Sequence, residues 1–165
     1  MKIAVISDTH DNLTNLIKAL TFINQQEVSA LIHCGDVTNI ETFRTILNYF
    51  NKPIYLSFGN GDDSKVFNDF LNQNKNNQIN FFNEFGEFNL NNFKIGISHF
   101  PEVVKKVLQN KKDYDFIFYG HTHKPWEEKE NKTIILNPGN LAGIFYKPTF
   151  ALVDFSNFEK KLIIL

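Results

Sequence analysis

Gly120-His121-Thr122-His123 is the stretch of this chain best equipped for chemistry. Histidines two positions apart point to different faces of a helix, whereas an extended segment or loop can aim both rings into one pocket. Neutral imidazole is the commonest protein metal ligand, so the pair reads as part of a metal site. The plainer reading is a polar turn that happens to hold two histidines, because short motifs often match by chance. Other stretches repeat the pattern. Asp8-Thr9-His10, Gly35-Asp36, Gly59-Asn60 and His99 each set a metal- or phosphate-binding side chain where an apolar run ends.

Those runs predict the elements that must position the chemistry. Residues 2–7, 30–34 and 54–58 are short, apolar and rich in β-branched residues, as buried strands are. Between the first two, Leu13, Leu16, Ile17, Leu20 and Ile23 recur at helical spacing, with Asn12 or Thr14 as the cap. A second helix is expected over 40–50 and stops before Pro53. Strand and helix in alternation predict a mainly parallel sheet with right-handed crossovers. Such sheets bind ligands at the C-terminal ends of their strands, so Asp8, His10, Asp36 and Asn60 should converge there.

The later half is less regular. Residues 68–80 are rich in Asn and Gln and read as either a weak helix or a loop. Residues 79–82, 84–90 and 93–98 read as antiparallel strands, and Pro101 opens a helix over 102–110. The run Phe116-Ile117-Phe118-Tyr119 reads as a strand buried on both faces. Strands are also expected over 126–130, 133–136, 149–155 and 161–165, interrupted by the turn chemistry of Asn137-Pro138-Gly139-Asn140.

A chain of 165 residues suits one domain, 1–165, since domains most often run about 100–150 residues. Its 42% hydrophobic and 21% charged content are those of a soluble globular protein. A net charge of −1 supplies no electrostatic footprint for nucleic acid, so no nucleic-acid partner is expected. No apolar run approaches the ~18 residues of a membrane span, and the single Cys34 excludes an intrachain disulfide. A cytoplasmic protein is expected.

Taken in order, Asp8/His10, Gly35/Asp36, Gly59/Asn60, His99 and Gly120/His121/His123 resemble the motif set of the calcineurin-like metallophosphoesterase superfamily. With the short length and Asn137-Pro138-Gly139, the chain looks most like its small phosphodiesterase branch, near the bacterial and archaeal enzymes and the related retromer scaffold subunit. The resemblance implies an α/β fold, a four-layer αββα sandwich of two mixed sheets. It implies two divalent metal ions, with manganese expected and nickel, iron or zinc as alternatives. One would be held by Asp8, His10, Asp36 and His123, the other by Asp36, Asn60, His99 and His121. Asp36 would bridge them, and hydrolysis of a small phosphodiester would proceed by in-line attack of a metal-bridging hydroxide. The residue types suit this chemistry, because imidazole favours transition metals while a carboxylate offsets charge between two cations.

The chain departs from the superfamily at three places. Many members carry a histidine after the Gly-Asn pair and use it to protonate the leaving group, but Gly61 stands here, so no general acid is expected at that position. Phe100 and Asn140 replace the Gly and Ser of several members, which bears on pocket shape and substrate. His33 and Cys34 read as packed core residues, with His33 alternatively orienting a ligand carboxylate; Asp11 and Asp62 read as cap and turn residues. The competing function is a binding or scaffold module that kept the fold and lost useful catalysis. An exposed patch of Phe100, Trp126, Phe145 and Tyr146 would favour that alternative. A homo-oligomer is compatible with either reading.

Overall fold

The computed structural model describes residues 1–74, 78–110 and 113–165. Residues 75–77, part of the stretch read as weak helix or loop, lie outside the described residues. In chain order the elements are β1 (Lys2–Ile6), α1 (Leu13–Asn24), β2 (Ala30–His33), α2 (Ile40–Tyr49), β3 (Ile54–Ser57), α3 (Ser64–Asn74) and β4 (Ile79–Phe82). There follow β5 (Phe85–Leu90), β6 (Phe93–Ser98), α4 (Pro101–Gln109), β7 (Phe116–Phe118), β8 (Trp126–Glu130), β9 (Thr133–Asn137), β10 (Thr149–Asp154) and β11 (Glu159–Ile164).

The strands form two mixed sheets, in the orders β11-β10-β1-β2-β3-β4 and β5-β6-β7-β9-β8. Ile3, Val5, Ala30 and Ile32 of the first sheet meet Ile95, Ile97, Phe116 and Phe118 of the second in one buried layer. The outer face of the first sheet packs under α1 and α2 through Ala4, Ile6, Leu16, Leu20, Phe43 and Ile46. Ile117 and Tyr119 turn the other way, onto Val104 of α4. These are the four layers αββα. The alternation within 116–119 explains why that run carries no polar residue: odd and even positions enter different cores.

Local chemistry sets the helix starts. Asn12 accepts from the Asn15 amide at α1, Asn39 does the same for Thr42 at α2, and Pro101 occupies the first position of α4. The segment 68–74 is helical, as part of α3.

One strand pairs differently from the sequence reading. β4 was expected in an antiparallel set with β5 and β6, but it runs parallel to β3 at the edge of the first sheet, while β5 and β6 pair in the second. The aromatic side chains explain the switch. Phe81 packs on Phe43, Phe58 and Phe67 beneath the helices, and Phe82 stacks on Phe88 of the other sheet at 5.6 Å. Both faces of β4 are satisfied only if the chain changes sheets at Asn83-Glu84.

Candidate metal centre

All seven side chains singled out at strand ends lie beyond the C-terminal ends of β1, β2, β3, β6 and β7, and the fold brings them together. Their loops are stitched by main-chain hydrogen bonds. Asp8 N–H donates to Gly35 O at 2.9 Å, and the amides of Thr9 and His10 donate to Asp36 O at 2.9 and 3.1 Å. The Gly120 amide donates to His99 O at 3.1 Å. Two glycines permit this closeness: a Cβ on Gly59 would lie 2.1 Å from Asp36 Oδ1, and one on Gly120 would lie 2.1 Å from Ser7 Oγ.

The side chains fall into two overlapping groups. His10 Nε2 lies 3.2 Å from His123 Nε2, and His123 Nε2 lies 3.3 Å from Asp8 Oδ1. At the other end, His99 Nε2 lies 3.2 Å from Asn60 Oδ1 and 3.1 Å from His121 Nδ1. Asp36 Oδ2 sits between the ends, 3.4 Å from His10 Nε2 and 3.5 Å from His99 Nε2. Asp8 belongs to both neighbourhoods, since its ligand oxygen also groups with Asp36 and His99. It accepts from the His121 amide as well, at 3.2 and 3.1 Å.

The tautomers decide what these approaches mean. His99 Nδ1–H donates to the Cys34 carbonyl at 2.8 Å, so in the neutral ring Nε2 is a bare lone pair. That lone pair faces the Asn60 oxygen and the Asp36 carboxylate, which are also acceptors. His123 Nδ1 is directed at Ile144 O at 3.4 Å, which turns its Nε2 lone pair toward Asp8. Converging lone pairs repel, and a cation among them relieves the repulsion. The residues therefore fit divalent metal in chemistry as well as in placement. In the free protein a proton does part of this work: the hydrogen bond to Asp8 lifts the His123 pKa above the ordinary histidine value, against burial. Burial pushes Asp8 up, but His123, His99 and Ser7 outweigh it and hold the carboxyl below its usual value.

Asp8, His10, Asp36, His121 and His123 all adopt positive φ, at 51°, 42°, 58°, 69° and 59°. Each such non-glycine residue costs of order 1 kcal/mol or more, so the surrounding fold imposes the conformation.

Several residues matter more than their sequence context indicates. Asp62, read as a turn residue, is an acceptor for three amides: Asp36 and Gly59 on Oδ2, each at 2.8 Å, and Thr38 on Oδ1 at 2.7 Å. It ties the second motif to the third. The Gly61 amide holds Asp36 Oδ1 at 2.7 Å, which leaves Oδ2 facing inward. Burial raises the Asp62 pKa despite its three donors.

His33 is fully buried behind the site. The Gly35 amide donates to its Nδ1 at 3.2 Å, so its Nε2–H donates to Thr9 Oγ1 at 2.8 Å. Burial drives its pKa down to about 3, and it is neutral at ordinary pH. Asp11 accepts from Thr42 Oγ1 while Asn12 caps α1. Cys34 is a buried thiol whose pKa burial pushes up.

Asn137 and Asn140, read as turn chemistry and as part of the family resemblance, are both buried. Asn137 donates to Gly120 O at 2.9 Å and Asn140 to His123 O at 3.0 Å, so they anchor the loop of the two histidines. Their signal in the sequence was the Asn-Pro-Gly-Asn run itself. Of the aromatic patch, Phe100 is half-buried with its ring 4.8 Å from that of His99, while Trp126, Phe145 and Tyr146 are exposed. Lys124 Nζ lies 5.3 Å over the Trp126 ring.

Residues 1–157 match the calcineurin-like phosphoesterase superfamily domain. The chain belongs to that superfamily. Phosphodiesterase MJ0936 of Methanocaldococcus jannaschii is 30% identical to it over 168 residues, covering 100% of this chain and 99% of that protein. A solved archaeal phosphodiesterase superposes with a TM-score of 0.90 at 29% identity, with 100% of both chains covered. Vacuolar Protein Sorting 29 from Cryptosporidium parvum gives a TM-score of 0.71 at 21% identity over 99% of this chain and 96% of its own, a likeness of fold alone. Among the described residues no helix is long and apolar enough to cross a membrane.

Proposed function

We propose that this superfamily member is a metal-dependent phosphodiesterase that hydrolyses a small phosphodiester, with 1–165 acting as one domain. The observation that carries the reading is the position of Asp36 Oδ2, 3.4 Å from His10 Nε2 and 3.5 Å from His99 Nε2. One oxygen shared between two nitrogen-rich ends is what a pair of cations requires. Asp8, His10, Asp36 and His123 would hold one, and Asp36, Asn60, His99 and His121 the other, with manganese the expected metal. Bound there, divalent cations would supply Lewis acidity toward the phosphoryl oxygens and acidify water. The 30% identity to a phosphodiesterase along the full chain supports a diester substrate.

The chain's own residues supply the remainder. Asp36, fixed by the Gly61 and Asp62 hydrogen bonds, keeps its charge midway along the row. Hydrolysis joins a water oxygen to phosphorus and breaks one ester P–O bond. Gly61 has no side chain to hand a proton to the departing oxygen, so the leaving group departs largely as an anion. Good leaving groups should therefore be cleaved fastest.

Purified protein should contain two metals per chain, and Asp36→Asn should lose both. Chelation should abolish bis-p-nitrophenyl phosphate hydrolysis, and added Mn²⁺ should restore it beyond p-nitrophenyl phosphate hydrolysis. A stoichiometry near one that Asp36→Asn leaves unchanged would refute the paired site. A second reading, a binding module, draws on the exposed Trp126 and Tyr146; full metal loading without diester hydrolysis would favour it.

A further inference from the structure

Phe145 is 89% exposed, the most exposed of the large hydrophobic residues, although the two residues before it are held by hydrogen bonds. The buried Asn140 accepts from the Gly143 and Ile144 amides at 2.6 and 3.0 Å, and its own amide donates to His123 O. Phe145 itself sits at φ 64°, a conformation that an L residue with a bulky side chain rarely adopts. Its ring centroid lies 5.9 Å from that of His123. A loop braced against a candidate metal ligand thus presents a large apolar ring to water, at the cost of both backbone strain and exposure. Such combinations collect at functional sites.

The placement also distinguishes the two ends of the row. Phe100 lies against His99 and His121, with ring centroids 4.8 and 5.4 Å away, so it is a wall for those rings. Near Asn60 the next residue is Gly61, which adds no side chain at that end of the row. Phe145 stands by His123, at the other end of the row from Asn60 and His99, with most of its surface available to a ligand.

We infer that Phe145 is a specificity-determining residue that stacks on a flat ring, a nucleobase or aryl group, carried by the ester arm that stays on phosphorus after cleavage. The inference rests on the phosphodiesterase reading and names its substrate class. Aromatic faces accept any base by stacking, without hydrogen-bond readout, so the preference is for flat rings in general.

Two esters with the same leaving group isolate the effect: the 4-nitrophenyl ester of thymidine 5′-phosphate and methyl 4-nitrophenyl phosphate. In Phe145→Ala the ratio of their kcat/KM values should fall about tenfold, the size of one lost base–aromatic stack. A second readout needs no turnover. Phe145→Trp in a Trp126→Phe background places one indole at the site of the Zn²⁺-loaded protein. Adenosine 5′-monophosphate should quench it and bind at least several-fold more tightly than ribose 5-phosphate, which should not quench. An unchanged ratio, an equal fall for both esters, or equal affinities without quenching overturns the inference. So does a Phe145→Ala protein that changes only its sedimentation, since the ring would then serve a second copy of the chain. If the wild type cleaves neither ester, the phosphodiesterase reading fails, and the indole titration still decides the role of position 145.

Discussion

Lowering the pH should destabilise this protein in a way that one buried side chain controls. His33 is neutral in the fold with a pKa pushed down to about 3, against 6.5 for an ordinary histidine. Burial is the main cause, with His99 and His10 adding to it and Asp8 opposing. Because the folded pKa is the lower one, the unfolded chain binds an extra proton between these values. His33 therefore costs nothing above pH 6.5, and stability falls progressively from there toward pH 3. Each unit of pKa difference is worth 1.36 kcal/mol, so by pH 4 the loss is about 3 kcal/mol. Set against a typical stability of about 5–15 kcal/mol, that is a large share.

The assay is urea unfolding of chelator-treated protein from pH 7.5 to 4, comparing wild type with His33→Gln. Glutamine can still donate to Thr9 but cannot take the proton. The comparison cancels the opposite contribution of His123, whose raised pKa adds stability below 6.5 that is lost as pH rises. The variant should be less stable at pH 7.5 and should lose less on acidification, with the two curves converging by about 3 kcal/mol at pH 4. Parallel curves, or a His33 ring resonance that titrates above pH 5, would refute the reasoning.

Two further outcomes test the frame around Asp36. Asp62→Asn should lower stability by about 1–3 kcal/mol, because one side-chain oxygen cannot serve the three amides that now share two. It should also weaken metal binding, since one of those amides is that of Asp36; an unchanged Tm with unchanged metal affinity would contradict this. Gly61→His should flatten the dependence of rate on leaving-group pKa across aryl diesters, since general acid catalysis is worth roughly 10²–10⁴-fold. The site admits a side chain with a small shift, a Cβ there meeting Thr38 Cγ2 at 3.0 Å and Asp36 Oδ1 at 3.1 Å. A Brønsted plot as steep as the wild type's would show that the imidazole does not reach the departing oxygen.

Much of this protein is legible in its sequence because the information is local. Apolar runs ending in a polar residue mark β1, β2, β3, β6 and β7, and the same run endings locate the seven candidate ligands. Asn12 and Pro101 announce their helices by chemistry that reaches no further than three residues along the chain. Where a strand belongs is a different kind of fact. Phe82 and Phe85 are separated by two residues, as in a hairpin, yet they join different sheets, since side-chain partners far along the chain decide the pairing.

The same division runs through the site. Residue types named the candidate ligands, but the left-handed backbone at Asp8 and Asp36 goes with hydrogen bonds between loops that those residues by themselves do not specify. Nothing around Asp62 distinguishes a surface turn from a half-buried acceptor of three amides. That distinction exists only once β2 and β3 lie side by side and their C-terminal loops must be tied together. Composition and spacing determined which atoms could bind a metal. Tertiary structure decided which lone pairs face one another, because tautomer and direction are set by partners such as the Cys34 carbonyl, 65 residues from the ring it orients.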